Sequence, residues 1–193
     1  TPTNAVYGFM NMLTKLVNDI KPDYIFAASD AGKITFRTEI YDGYKTGREE
    51  TPEELRTQIP IIQSILEACK IKFISCPGYE ADDIIGYLAT LAQNNNDKLT
   101  IVTGDRDSFQ LADDNISILY AKRGVSDTVL VTPEYIKETY NLTAKQLIDL
   151  KALMGDKSDN IPGVAGVGEK TALNLLAQYG SLDGVYENID FVK

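Results

Sequence analysis

Leu99-Thr100-Ile101-Val102-Thr103-Gly104-Asp105-Arg106-Asp107 passes without a break from a short apolar strand into two acids. The stretch predicts a strand whose carboxyl end presents Asp105 and Asp107. Residues 24–28 predict a second apolar strand, ending at Ser29-Asp30, and residues 72–75 a third. Pro77-Gly78 then turns the chain into Tyr79-Glu80-Ala81-Asp82-Asp83, the acidic start of a helix expected over 81–93. Strands alternating with helices predict an α/β fold with a parallel-dominated central sheet flanked by helices.

Working outward, residues 1–20 predict a helix capped by Thr3 or Asn4. Its apolar stripe is Val6, Phe9, Met10, Leu13, Leu16 and Val17. Residues 31–50 are polar and basic with glycines and predict loop or strand edge. Thr51-Pro52-Glu53-Glu54 predicts the start of a helix running to about residue 70, with Pro60 inside it as a kink. Strands are expected at 116–120 and 128–131, joined by a loop holding Lys122 and Arg123. From Thr132-Pro133 onward the pattern is helical, with starts at Thr132, Thr143, Glu169 and Ser181. The division expected is an α/β core over 1–132 and a helical subdomain over 133–193.

In an open α/β sheet, ligands gather beyond the carboxyl ends of the strands. That places Asp30 and Asp105 together, with Glu80, Asp83 and Asp107 brought to the same edge. Glu80 and Asp83 share a helical face, and the helix dipole favours anions at that terminus. So many like charges need cations between them. Oxygen-only ligation, in a chain with no histidine, suits magnesium or manganese rather than zinc. A pair of such ions can activate water and stabilise the leaving oxygen of a phosphodiester. Taken singly, Glu-Ala-Asp-Asp also reads as an ordinary helix start, Gly-Asp-Arg-Asp as a turn, and Asp156 with Asp159 as a capping turn.

After Asp156 and Asp159 comes Asn160-Ile161-Pro162-Gly163-Val164-Ala165-Gly166-Val167-Gly168-Glu169-Lys170-Thr171. The glycines allow close backbone approach, and the N–H groups of the following helix start can bind phosphate beside Lys170. The spacing fails the P-loop pattern, because Glu169 follows Gly168, and helices rather than a strand precede it. The pattern is a helix-hairpin-helix, suited to sequence-independent backbone binding; a tight interhelical turn is the bland alternative.

The chain has 193 residues, 44% of them hydrophobic, enough for one sizeable core with a small appended domain. Cys69 and Cys76 form neither a disulfide framework nor a zinc spacing, which predicts a reduced, cytoplasmic setting. With no signal-peptide pattern in view and no apolar run of membrane-spanning length, a soluble, non-secreted protein is expected. A net charge of −9 argues against nucleic acid, unless bound cations reverse the local field. Lys33, Arg37, Lys45 and Arg48 group in one short basic stretch, which charge alone reads as a solvated loop face.

Together these motifs resemble the 5′ nuclease domains of bacterial DNA polymerase I and the wider flap endonuclease family, over essentially the whole chain. The resemblance is carried by Pro2-Thr3-Asn4-Ala5-Val6-Tyr7-Gly8-Phe9, Phe36-Arg37, Tyr44-Lys45-Thr46-Gly47-Arg48, Gly78 to Asp83, Gly104 to Asp107 and Gly155-Asp156-Lys157-Ser158-Asp159-Asn160. The helix-three-turn-helix stretch follows. The resemblance implies a metal-dependent enzyme cutting 5′ ends and flaps of branched DNA in replication and repair, in the bacterial cytoplasm near the nucleoid. It implies that Asp30, Glu80, Asp82, Asp105 and Asp107 serve two or more magnesium or manganese ions, with Asp83 beside them, and that Asp156 and Asp159 complete a looser second site. Lys45 and Arg48 would steer and polarise the scissile phosphate. Arg37, Tyr44, Gly163, Gly166, Gly168, Lys170 and Thr171 would contact DNA, with a potassium ion held by carbonyls at the Gly-rich turn.

Relatives open with a strand carrying a further ligating aspartate and continue into further helices. The expectation is therefore a fragment, with a polymerase domain in the same native polypeptide; a monomer is expected. Two other readings stand beside the nuclease: a non-catalytic, structure-selective DNA-binding fragment, and a ribonuclease with a related acidic sheet edge.

Overall fold

The computed structural model describes residues 2–123 and 127–192. Thr1, where the first helix was expected to begin, and 124–126 of the expected interstrand loop lie outside the described residues. Helix α1 is Asn4–Ile20. Neither Thr3 nor Asn4 caps it from its own turn. Instead Gln58, almost wholly buried, accepts the N–H groups of Ala5 (2.8 Å) and Val6 (3.2 Å) on Oε1. Its amide donates to Asn4 Oδ1 (3.1 Å) and Glu54 O (2.8 Å). A side chain more than fifty residues away thus satisfies the free N–H groups that every helix start exposes.

The basic stretch holds a short helix, α2 (Phe36–Ile40), where loop or strand edge was expected. Thr38 Oγ1 closes it by accepting from Thr35 N (3.1 Å) and donating to Thr35 O (2.6 Å). The single long helix expected over 51–70 is instead two, α3 (Glu53–Arg56) and α4 (Ile59–Ala68). Pro60 stands in the first turn of α4, where its missing N–H does no harm, so the chain breaks before it rather than bending at it.

β1 (Phe26–Ala28) pairs in parallel with β2 (Lys72–Ile74). α5 (Ala81–Asn95) follows and leads into β3 (Leu99–Thr103), which pairs in parallel with β4 (Ile116–Arg123). β5 (Asp127–Val131) returns antiparallel to β4. Lys122 and Arg123 therefore belong to strand, not loop. One parallel-dominated central sheet was expected from the sequence. Backbone hydrogen bonds join β1–β2 and β3–β4–β5 as separate small sheets, with an antiparallel member in the second.

The first core packs Ile101, Ile116, Ile118 and Val131 from the strands against Ala89 of α5, Phe109 and Ile136. Ile136 lies on α6 (Pro133–Tyr140). The second packs Leu150 and Leu153 of α7 (Gln146–Met154) against Ala172 and Leu176 of α8 (Glu169–Tyr179). α9 (Leu182–Glu187) closes this helical unit, capped by Ser181 Oγ on Gly184 N at 3.0 Å. No helix among the described residues is long and apolar enough to cross a membrane.

Candidate active site

Each acid sits where a strand or turn delivers it. Asp30 follows β1 and its Oδ1 accepts the N–H of Ala81, the first residue of α5, at 2.7 Å. Asp105 follows β3 and its Oδ1 accepts Asp107 N at 2.9 Å, capping a 3-10 turn over Arg106–Leu111. Glu80 is the residue before α5, and its own N–H donates to Asp83 Oδ2 at 2.9 Å.

Glu80 is the buried carboxylate of the set, 6% exposed. Tyr44 Oη donates to its Oε2 at 3.0 Å and Lys45 Nζ to its Oε1 at 2.8 Å. Arg37 binds Asp83 through both terminal nitrogens, at 2.8 and 2.7 Å, and lies 3.9 Å from Glu80. The bidentate bond to Asp83 raises the Arg37 pKa, and Arg37 in turn holds the Asp83 carboxyl below its usual range. Burial, and then the bond to Glu80, pushes the Tyr44 phenol well up. Asp83 thus serves as helix cap and Arg37 anchor, with both oxygens engaged.

Asp82 has a different environment. Burial first, and then the negative charges of Asp105, Glu80 and Asp30, push its carboxyl up. Lys45 opposes these acids only in part, and cations at this edge would relieve the rest of the repulsion on Asp82.

The helical unit meets this edge through two contacts. Lys151 of α7 donates to Asp107 Oδ1 at 2.8 Å and to Asp156 Oδ2 at 2.7 Å. Burial works against the Asp156 carboxylate, but Lys151 and two hydrogen bonds from Ser158 outweigh it and hold the pKa at about 2. The second contact docks the basic loop on the turn after Asp156. Lys45, whose backbone is left-handed (φ 55°), donates its N–H to Asp159 O at 2.9 Å. Arg48 pairs with Asp159 and reaches Ser158 O at 3.2 Å. Tyr41 Oη donates to Asn160 O, and Asn160 Nδ2 to Gly43 O and Thr46 Oγ1. Lys151 and Tyr41 were not picked out by sequence reasoning, and Ser158 and Asn160 were named only within the motif around Asp156. A lysine in mid-helix carries no local mark of a bridging role.

Among the described residues, no three acidic or cysteine side chains stand close enough to hold one metal ion. The donor set nevertheless fits a hard cation in kind, being oxygen throughout, and an ammonium already bridges Asp107 and Asp156.

The glycines of the turn divide in role. A Cβ on Gly163 would overlap the backbone of Met154 and Gly155, where Gly155–Asp156 (β6) pairs antiparallel with Ile161–Pro162 (β7). Gly166 adopts φ +81° in open space. Gly168 has open space and an extended backbone (φ −96°, ψ −178°), so nothing inside the protein demands glycine there.

The family model described as 5'-3' exonuclease, N-terminal resolvase-like domain, matches residues 1–141; that described as 5'-3' exonuclease, C-terminal SAM fold, matches 142–193. The chain belongs to the 5′-3′ exonuclease family. It is 52% identical over 191 residues to DNA polymerase I of Streptococcus pneumoniae serotype 4, covering 99% of this chain and 22% of that protein. The chain therefore spans about a fifth of the curated relatives it matches. Among solved structures, the T5 D15 protein co-crystallized with metal ions superposes with a TM-score of 0.79 at 26% identity, over 96% of this chain and 72% of that one. The bacteriophage T5 D15 flap endonuclease in a pseudo-enzyme-product complex with DNA and metal ions gives 0.78 at 25% identity, over 97% and 71%. The α/β nuclease fold with a helical SAM-like unit is thereby established.

Proposed function

We propose that the chain is the 5′-3′ exonuclease and 5′ flap endonuclease part of a DNA polymerase I, cutting DNA at 5′ ends and flaps during replication and repair. The observation that carries this reading is the docking of the basic loop and both acidic groups on one edge, through Lys45 to Asp159 and Lys151 to Asp107 and Asp156. On this reading 1–132 is the nuclease core and 133–193 the DNA-binding subdomain, with Ile136 of α6 shared into the first core. The two small sheets are read as parts of one parallel-dominated layer, supported by the parallel pairing of β1 with β2 and of β3 with β4.

Asp30, Glu80, Asp82, Asp105 and Asp107, with Asp83 beside them, would hold one side of a magnesium or manganese centre, and Asp156 and Asp159 the looser side. Bound there, two ions would supply water activation and neutralise the leaving oxygen. The chain's own residues do the rest. Lys45 and Arg48, now paired with Glu80 and Asp159, exchange those partners for the scissile phosphate and orient it. Tyr44 holds Glu80 in place, and Arg37 holds Asp83. The N–H groups from Gly166 to Thr171, with Lys170, grip the duplex backbone. Gly168, free of any internal demand for glycine, is the point of closest approach. A potassium ion at the turn's carbonyls, a polymerase domain in the same polypeptide and a cytoplasmic, nucleoid-associated location belong to the same reading.

Asp105→Asn keeps the oxygen that caps the following turn but removes the charge. It is expected to abolish magnesium-dependent cleavage of a labelled 5′ flap while leaving DNA binding largely intact; unchanged turnover refutes the assignment. Binding without cleavage by the unaltered chain would favour the non-catalytic DNA-binding reading. Preference for single-stranded RNA over flap DNA would favour the ribonuclease.

A further inference from the structure

Phe36 and Tyr79 lie beside the acidic edge with ring centroids 5.7 Å apart and planes tilted by 54°. Both reach solvent, at 38% and 50% exposure, and the fully apolar Ile34 next to them is 77% exposed. The backbone fixes the pair. Thr35 bridges in parallel to Gly78, Phe36 N donates to Gly78 O at 3.1 Å, and Tyr79 N to Cys76 O at 3.1 Å. Arg37 lies over the Phe36 ring, 4.6 Å from its centroid, while its guanidinium binds Asp83. Tyr79 directly precedes Glu80, about 3.8 Å away along the backbone, and Lys45 reaches that carboxylate at 2.8 Å.

Rings this rigid lose little freedom on gaining a stacked partner. A cation beside exposed aromatics, next to a phosphate-directed lysine, is the chemistry that recognises a nucleobase of an unpaired strand, because every base offers a π-face. We propose that Phe36 and Tyr79 form a stacking platform for one unpaired nucleobase of the 5′ strand, so that the site selects single-stranded ends. The platform rests on the nuclease reading above and adds a subsite to it.

The test is equilibrium binding, in chelator so that nothing is cut, of two 5′ flap DNAs. One carries 2-aminopurine in the flap next to the junction and the other an abasic residue there. Tyr79→Ala is expected to bind the first roughly tenfold more weakly and the abasic flap as the wild type does. Tyr79→Phe is expected to restore affinity and 2-aminopurine quenching, and Phe36→Leu, which keeps an apolar side chain without a π-face, to lose quenching. The platform is overturned if Tyr79→Ala matches the wild type on both flaps, or weakens on both equally. If the wild type binds neither flap, the nuclease reading falls and takes the platform with it. If it binds and, with magnesium restored, cuts while both variants match it, the platform alone falls.

Discussion

Replacing Lys151 with methionine tests whether the two units are held together by charge at the acidic edge. The side chain keeps its length and apolar stem and loses its ammonium. Lys151 Nζ donates at 2.8 Å to Asp107 and 2.7 Å to Asp156, so those two oxygens can be no further apart than the sum of these distances. Without the ammonium they face each other uncompensated. The scale follows from Asp156, whose pKa of about 2 lies roughly two units below that of a free aspartate, or ~2.6 kcal/mol. Ser158 keeps its two hydrogen bonds to Asp156 in the variant, and the Lys151 side chain is 41% exposed, so solvent screens part of the rest. The expected loss is ~1 kcal/mol at pH 7. The folded pKa is depressed, so the Asp156 contribution is complete above about pH 4 and disappears as pH falls through about 2. Urea unfolding in chelator reads the stability, and carboxyl-carbon NMR reads the Asp156 midpoint, which should move up toward the ordinary value in Lys151→Met. Magnesium should then stabilise the variant more than the wild type, because the ion takes over the lost positive charge. A variant as stable as the wild type, with Asp156 still titrating near 2, would refute the reasoning.

Three further outcomes are expected. Gln58→Ala leaves the first N–H groups of α1 and the Asn4 side chain without their buried partner, and should cost ~2–3 kcal/mol in urea unfolding. Gly163→Ala forces the backbone at Met154–Gly155 apart and should lower the melting temperature sharply, whereas Gly168→Ala should leave it unchanged and weaken duplex binding alone. Tyr44→Phe takes a donor from buried Glu80 and should cost ~1–2 kcal/mol, read as a lower melting temperature in thermal unfolding.

What could be read from the chain, and what could not, divides by the range of the interaction. β3 was legible because an apolar run ending in glycine states its own burial, and α9 because Ser181 lies three residues before the N–H it caps. The acids were legible because strand ends deliver them. The capping of α1 was not, since Gln58 carries no capping signature and acts from another helix. α2 was hidden because its apolar residues, Phe36 and Ile40, face outward, so periodicity gave no sign of a packed face. Of the countercharges, Lys151 was hidden: it reads as a solvated helical lysine until the fold places Asp107 against Asp156. The site's acids are thus marked by local pattern, while the partners that fix their charge state are set by tertiary placement. Lys45 joins the two levels. Its side chain was visible in the basic stretch, but its left-handed backbone is held by a hydrogen bond to Asp159, 114 positions along. That coupling means Lys45 and Arg48 of the loop and the turn holding Asp159 cannot be positioned independently, so a change at either one should disturb both.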